Sequence, residues 1–291
     1  MAVDMAAFTR RVAWVSGMLG LGLLGAQELQ AELAISRPGW GGQILNHVTL
    51  HGADARQQLL VTQTLGDGSF VDQTREASIT VEPTGLVRVT DGLVEPLANG
   101  NGVITARTRA GEIAVIPFEV QAISSEKSVS FPNSIVPLFT KHGCSGGGCH
   151  GKSSGQNGFK LSLLGFEPQE DYEYLLREAR GRRIFPAAPE RSLLLLKATG
   201  QLPHGGGSRI DADSFDYKTI VKWIRQGMPY GKPNDPSLED IEVHPPERIM
   251  EPGARQQLVV LARMTDGSVE DITHSAAVSY THLTLPTNRE V

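Results

Sequence analysis

Residues 141–152 read KHGCSGGGCHGK and contain the only two cysteines of the chain, Cys144 and Cys149, with His150 directly after the second. Two thiols followed by a histidine is the order used for covalent attachment of haem, in which the thiols form thioethers and the histidine binds iron. The usual motif has two residues between the cysteines, whereas four separate them here. The stretch therefore predicts a haem site of unusual spacing, with Cys144 and Cys149 as thioether residues and His150 as the proximal iron ligand.

The residues between the cysteines suggest how the longer spacing is accommodated. Three of the four are glycines, Gly146 to Gly148. Glycine adopts positive φ at little steric cost, so we expect a bulge here that leaves both thiols aimed at one porphyrin edge. Two other uses of the motif stay open. A disulfide between Cys144 and Cys149 suits an exported protein, and these cysteines with His150 and a fourth ligand suit zinc.

The composition of the chain limits the classes of function. Hydrophobic residues make up 40% and charged residues 20% of the 291 residues, as in ordinary globular domains. The net charge is -5 and the sequence has no basic stripe, so nucleic acid is not expected as a partner. No Ser/His/Asp order, phosphate-binding loop or paired-carboxylate motif is visible. We therefore expect any catalytic activity to belong to a further C-terminal part of the protein and not to these 291 residues.

The N-terminus has the features of an export signal. Arg10 and Arg11 precede an apolar run over residues 12–26, and small-residue cleavage sites end at Ala26 and Ala31. This pattern predicts a signal peptide over residues 1–31 and a location in the periplasm or cell envelope. The run is shorter than the roughly 20 residues of a typical span, although an uncleaved membrane anchor is the alternative interpretation. No other segment is expected to cross a membrane.

Residues 42–122 carry a β pattern. Short runs rich in β-branched residues, such as 44–50 and 58–64, alternate with turn sequences such as Gly66-Asp67-Gly68-Ser69. The turns recur every eight to twelve residues or so, which is typical of a β-sandwich.

An internal repeat links this region to residues 236–280. The sequence Ala-Arg-Gln-Gln-Leu occurs at 55–59 and again at 254–258, Asp-Gly-Ser at 67–69 and 266–268, and an Asp-x-Thr motif at 72–74 and 271–273. Repeats at constant offset indicate two copies of one module. The pattern resembles the bacterial immunoglobulin-like domains of group 2, which are exported β-sandwiches used as spacers or adhesive modules.

The second copy is expected to be incomplete, because too few residues follow it to form a second sheet. Residues 281–291 resemble a translated adaptor sequence and are interpreted as an artefactual tail. We therefore expect the chain to be the N-terminal part of a longer protein, with further domains beyond it.

Between residues 128 and 231 the apolar period changes from two to nearly four, which predicts helices. The expected helices lie at 135–142, 168–179, 190–199 and 214–226. The expected fold is thus a β-sandwich, then a small all-α domain at 128–231, then a truncated second β-sandwich.

A family resemblance covers residues 131–231. The motifs, in chain order, are CHGK, GQNGFKLSLLGF, GRRIFPAAPERSLLLLKATG, PHGGG and WIRQGMPYG. They resemble the cytochrome-c-like domain of large exported proteins of planctomycetes and related bacteria, which often lies beside group 2 immunoglobulin-like domains. The resemblance implies haem c, class I cytochrome topology and a redox partner protein. The chain departs from the family pattern in the spacing of its two cysteines.

In that topology the distal iron ligand comes from a loop before the last helix. His204 lies at the matching place and is the first choice, Met228 is the runner-up and His142 the third. Two imidazoles would lower the reduction potential relative to ligation by His and Met.

Several other side chains are candidates for contacts with the cofactor. The aromatic residues that could pack on haem are Trp223, Phe159 and Phe166. The basic residues that could pair with its propionates are Arg182, Arg183 and Lys197. For the basic residues, a solvated face on the surface is the favoured interpretation.

The sequence as a whole predicts an exported electron-transfer module on immunoglobulin-like spacers. The alternative is a non-redox adhesion or scaffold protein with a Cys144–Cys149 disulfide or a zinc site.

Overall fold

A computed structural model describes residues 32–277 of the chain; the predicted signal peptide (1–31) and the predicted tail (281–291) lie outside that range. The first β unit runs from residue 32 to residue 121. Its strands are β1 Glu32–Pro38, β2 Ile44–Leu45, β3 Val48–His51, β4 Gln57–Gln58, β5 Leu60–Thr64, β6 Phe70–Asp72, β7 Ser78–Glu82, β8 Val87–Thr90, β9 Leu93–Pro96, β10 Gly100–Arg107 and β11 Ile113–Gln121.

Two four-stranded sheets form the body of this unit. One has the strand order β2-β1-β5-β6 and the other the order β3-β11-β10-β7, while β4, β9 and β8 form a smaller third sheet. Side chains of β11 alternate between the interior and solvent, so that Ile116 and Phe118 are buried whereas Ile113 and Val115 are exposed. The buried residues of the two larger sheets form one apolar core. The first unit is therefore a β-sandwich, as the sequence predicts.

The boundaries of the sandwich differ from the prediction. It includes Glu32 and the residues that follow, ahead of the predicted boundary at residue 42, because β1 pairs antiparallel with β5 from Glu32↔Thr64 to Ser36↔Leu60. The run expected as one strand over residues 44–50 is broken into β2 and β3, which belong to different sheets. The chain changes sheet at this point, so that β3 pairs parallel with β11.

The helical unit follows the sandwich. It begins with a π-helical turn, Phe131–Ile135, and its α-helices are α1 Val136–Lys141, α2 Pro168–Leu176, α3 Leu193–Ala198 and α4 Phe215–Arg225. All four predicted helices are observed, and each is shorter than predicted. The longest, α4, has 11 residues, so that loops make up much of the unit.

The helices pack around Trp223 of α4, which is 0% exposed. The ring of Phe131 lies 5.4 Å from that of Trp223, and Tyr172 of α2 lies 5.1 Å from Phe131. The hydroxyl of Ser214 accepts a hydrogen bond from the backbone N–H of Tyr217 and thereby caps α4. The unit therefore has an apolar core made of its own side chains.

A second β unit follows, with strands β12 Leu238–His244, β13 Val259–Met264 and β14 Val269–Asp271 in one antiparallel sheet. These strands correspond to β1, β5 and β6 of the sandwich, in line with the internal repeat. The turn geometry also repeats, with φ of 82° at Gly68 and 81° at Gly267. None of the helices within residues 32–277 has the length and apolarity that a membrane span requires.

Candidate functional site

The cysteine loop starts where α1 ends. The backbone N–H of Cys144 donates to the carbonyl of Phe139 at 2.8 Å, and that of His150 donates to the carbonyl of Cys144 at 3.0 Å. Between them, the N–H of Cys149 donates to the carbonyl of Gly146 at 2.9 Å. These bonds fold the residues between the cysteines into a closed turn that brings His150 back beside Cys144.

The glycines of the loop act differently from the prediction. Gly146, Gly147 and Gly148 do not adopt positive φ; the residue that does is Gly143, with φ of 72°. The steric requirement falls on Gly151, because a Cβ atom there would lie 1.9 Å from the carbonyl oxygen of Ser145. The turn is thus shaped by a bend before Cys144 and by a close backbone contact after His150.

His150 is held in one orientation by the segment that follows it. Its Nδ1 lies 3.0 Å from the carbonyl oxygen of Phe159, and the two rings are 4.7 Å apart. Burial lowers the pKa of His150 below its ordinary value, with His204 and Arg183 acting in the same direction and the bond to the Phe159 carbonyl opposing them. The ring is therefore neutral near pH 7, with Nδ1–H donating and the lone pair of Nε2 available to a metal.

His204 is held in an equivalent way. Its Nδ1 lies 2.8 Å from the carbonyl oxygen of Gly207. Two hydrogen bonds fix the loop that carries it to α3. Lys197 Nζ donates to the carbonyl of Pro203 at 2.7 Å, and the backbone N–H of Arg209 donates to the carbonyl of Ala198 at 2.7 Å. Within residues 32–277, Nε2 of neither histidine has a hydrogen-bond partner in the protein.

The two imidazole rings lie near each other with almost parallel planes. Their centres are 6.2 Å apart and their planes differ by 7°. Imidazole nitrogen binds a first-row metal at about 2 Å, so two imidazoles on opposite sides of one metal ion have ring centres about 6 Å apart. The spacing of the His150 and His204 rings matches that value.

Both cysteines are free thiols in the structure. Burial raises the pKa of the Cys144 thiol to about 11, and the guanidinium of Arg209 opposes this shift. The structure therefore contains no disulfide bond between Cys144 and Cys149. Two free thiols that precede His150 in the sequence are compatible with thioether attachment.

The zinc interpretation needs at least three protein ligands around one point. Among the residues that the structure describes, no group of three His, Cys, Asp or Glu side chains could hold a metal ion. Haem iron needs only two ligands from the protein, because the porphyrin supplies the other four. The two imidazoles of His150 and His204 match that number.

The other two ligand candidates lie elsewhere. Met228 packs against the helical core. The hydroxyl of Tyr172 donates to the backbone carbonyl of Met228 at 2.6 Å, and the N–H of Met228 donates to the backbone carbonyl of Trp223. Nε2 of His142 is 2.7 Å from a carboxylate oxygen of Asp216 and is therefore engaged in the protein. Of the three candidates, only His204 is paired with His150.

The candidate basic residues have separate environments. Arg183 is buried and donates to the carbonyls of Tyr174, Glu178 and Gly158, so it supports the loop behind Phe159. Its guanidinium also lies 4.5 Å from the centre of the Phe159 ring. Arg182 is exposed on the surface. These positions favour structural and surface roles over contacts with haem propionates.

The candidate aromatic residues are also separated. Trp223 belongs to the helical core, and Phe159 contacts His150 directly. Phe166 is 86% exposed, beside Leu163 and Leu164, which are 55% and 62% exposed. Phe159 is thus the aromatic residue that lies at the histidine pair.

Sequence reasoning missed Arg209. A Cβ atom built on Gly206 would lie 3.5 Å from both Arg209 Nε and His204 Nε2. The signal that could have identified it is a basic residue shortly after the Pro-His-Gly-Gly-Gly motif, in the same loop as His204.

Comparison with known proteins adds little. No family model matches the chain, and no curated protein matches it. Among solved structures it has a likeness to an intimin mutant of EHEC O157:H7, with 14% identity and a TM-score of 0.22. The match covers 38% of this chain and 57% of the intimin chain.

Proposed function

We propose that this chain is an exported electron-transfer module in which a helical, cytochrome-c-like unit carries haem c between immunoglobulin-like β units. The observation that carries the proposal is the pair of parallel imidazoles, His150 and His204, with ring centres 6.2 Å apart. Each ring has its Nδ1 engaged by a backbone carbonyl. The two free cysteines that precede His150 give the pair the remaining elements of a covalent haem site.

The residues have distinct roles in this proposal. Cys144 and Cys149 would hold the porphyrin through thioethers, and His150 and His204 would bind the iron from its two sides. Haem held in this way supplies one-electron transfer between ferric and ferrous iron. Held by two histidines, the group would have no open position for a substrate.

The carbonyls of Phe159 and Gly207 serve as second-sphere partners. A carbonyl that accepts from Nδ1 fixes both the tautomer and the orientation of an imidazole ligand. Because each carbonyl belongs to a loop fixed by further hydrogen bonds, the rings are held before any metal is bound. Such preorganisation favours a site that changes little between oxidation states.

The context of the module is also part of the proposal. The repeat motifs and the sandwich support β units of the group 2 immunoglobulin-like kind, which would act as spacers in a larger protein of the cell envelope. The resemblance of residues 131–231 to planctomycete cytochrome-c-like domains supports the same assignment. The redox partner would then be another protein of the envelope or a further domain of the same one.

A non-redox scaffold is the alternative, and it rests on the four-residue spacing between the cysteines. It requires a Cys144–Cys149 disulfide, or a zinc site, and no haem. The two proposals therefore differ in the covalent state of the same two sulfur atoms.

The test is to express the whole chain in a periplasm that contains haem-attachment machinery and to record the intact mass and the pyridine haemochrome spectrum. We expect a haem-sized mass increase that survives denaturation, together with a c-type band. The Cys144→Ser/Cys149→Ser double variant is the matched control and should lack both. A colourless chain two mass units lighter than its reduced form would refute the redox module and support the scaffold.

A further inference from the structure

The side chain of Arg209 lies between the cysteine loop and the His204 loop. Its Nε and His204 Nε2 are each 3.5 Å from the Cβ position of Gly206, so the two nitrogen atoms are within twice that distance of each other. At its other end, Nη1 lies 3.9 Å from the Cβ position of Gly143, the residue before Cys144. The guanidinium therefore spans the two loops that carry the candidate ligands.

The position of Arg209 is fixed by the backbone on both sides. Its own N–H and that of Ile210 donate to the carbonyl of Ala198, at 2.7 and 3.0 Å. The side chain of Ile210 is 3% exposed and belongs to the helical core. The guanidinium thus starts from a rigid point, although its side chain reaches the surface.

Among the described residues, no carboxylate neutralises the charge of Arg209. Several other arginines pair with a carboxylate, for example Arg177 with Glu173 at 2.9 Å and Arg263 with Glu239 at 3.0 Å. Within residues 32–277, Arg209 has no acidic side chain at ion-pair distance and no side-chain hydrogen bond. Its positive charge is felt at the cysteine loop, where it opposes the rise in the pKa of Cys144.

We propose that the guanidinium of Arg209 raises the reduction potential of the redox group held between His150 and His204. The inference deepens the proposed function and rests on it. Reduction removes one positive charge from the site, so a neighbouring cation favours the reduced state. Ligation by two imidazoles acts in the opposite direction, because it favours ferric iron. Arg209 would partly offset the low potential that the ligand set alone imposes.

The size of the effect follows from distance and exposure. A unit charge several ångströms away near a protein surface changes the balance between oxidised and reduced forms by about tenfold. For a one-electron couple, a tenfold change corresponds to about 59 mV. Because Arg209 is exposed, added salt should screen part of this effect.

The experiment measures the midpoint potential of the haem-loaded whole chain by spectroelectrochemical titration. Removing the charge in Arg209→Gln should shift the reduced-to-oxidised ratio about tenfold toward the oxidised form at a given applied potential. Arg209→Lys keeps the charge and should restore most of the wild-type value. Arg109→Gln removes the same charge from an exposed arginine of the β-sandwich and should leave the potential unaltered. The difference between Arg209→Gln and the wild type should shrink in high salt.

An attached haem whose potential is the same in the wild type and in Arg209→Gln would overturn the role of Arg209 and leave the proposed function standing. A wild-type chain that binds no haem would overturn both. Arg209→Met, a second neutral side chain of similar reach, keeps the comparison open if the Gln variant does not fold.

Discussion

Asp72 and Asp271 occupy equivalent positions in the two β units, and each binds the backbone of the other unit. Oδ2 of Asp271 accepts a hydrogen bond from the N–H of Gln58 at 2.6 Å, and Oδ2 of Asp72 accepts one from the N–H of Gln257. Gln58 and Gln257 are themselves equivalent in the repeat. The two units are therefore joined by a reciprocal contact with approximate twofold symmetry.

The same two aspartates organise their own units. Oδ1 of Asp72 accepts from the N–H of Thr74 at 2.8 Å, and Oδ1 of Asp271 accepts from that of Thr273 at 2.9 Å. Each threonine hydroxyl in turn accepts from a strand N–H, that of Val61 or Val260. The Asp-x-Thr motif thus has one function within each unit and a second between the units.

The first prediction concerns this reciprocal contact. Replacing either aspartate by alanine leaves two backbone N–H groups without a partner, one in each unit. Each such group costs about 1–3 kcal/mol when it is buried. Gln58 is 5% exposed, whereas Gln257 is only partly buried, so Asp271→Ala should cost more than Asp72→Ala. Urea unfolding of the whole chain measures both free energies.

Asp67→Ala is the matched control for that experiment. Asp67 also accepts from a backbone N–H, that of Ser69 at 2.9 Å, but in an exposed turn. Its removal should change the free energy of unfolding by less than about 0.5 kcal/mol. Equal losses in all three variants would show that the contact between the units does not contribute specifically.

How far the sequence predicts the structure depends on the range of the interaction. The helices and the Asp-Gly-Ser turns follow from local spacing and capping, so they were predictable. The strand β1 was missed because it directly follows the expected cleavage site, although Leu33 and Ile35 lie two residues apart, as the buried residues of a strand do. The pairing of Gln257 with Asp72 spans 185 positions and leaves no local pattern.

The candidate site shows the same limit. The order of cysteines and histidine made His150 a candidate ligand, and the family resemblance pointed to His204. The role assigned to Gly146 to Gly148 was wrong because closure of the turn depends on hydrogen bonds to Phe139 and on the contact between Gly151 and Ser145. Such close approaches are set by packing, which single-residue preferences do not encode.

The second prediction concerns Gly151. Gly151→Ala would place a Cβ atom 1.9 Å from the carbonyl oxygen of Ser145, so the backbone of the cysteine loop must move. Overpacking of this kind costs about 1–3 kcal/mol. Gly148→Ala is the control, since nothing lies within 4 Å of a Cβ atom there. Thermal unfolding should therefore separate the two variants, and similar melting temperatures would contradict the close contact.

The third prediction concerns Asp216, which joins α4 to the end of α1. Its carboxylate is 2.7 Å from both Lys141 Nζ and His142 Nε2, just before the cysteine loop. Burial raises the pKa of Asp216, but the hydrogen bonds from His142 and Lys141 outweigh it and hold the pKa below the ordinary value of 3.8. The ionised form therefore stabilises the fold above the pKa of the unfolded chain, and this contribution is lost as the pH falls through the lowered value.

Asp216→Asn tests this dependence. At pH 7 it should cost about 1–3 kcal/mol, since two charge-assisted hydrogen bonds are lost. The gap between wild type and variant should close as the pH falls below about 4. Glu190→Gln, which removes an exposed ion pair with Arg225, should show little change at any pH. A gap that stays constant down to strong acid would count against the stabilising role of the ionised carboxylate.

The fourth prediction separates His204 from Met228 as the distal ligand of the proposed haem. In His204→Ala the iron should gain an open position, so added imidazole should bind and change the visible spectrum, whereas the wild type should not respond. In His204→Met a thioether replaces an imidazole, which should raise the reduction potential. Met228→Leu should behave as the wild type, because the backbone of Met228 is held at the helical core by Tyr172 and Trp223. If Met228→Leu opens the iron to imidazole and His204→Ala does not, the distal ligand is the methionine, and the parallel rings of His150 and His204 have another cause.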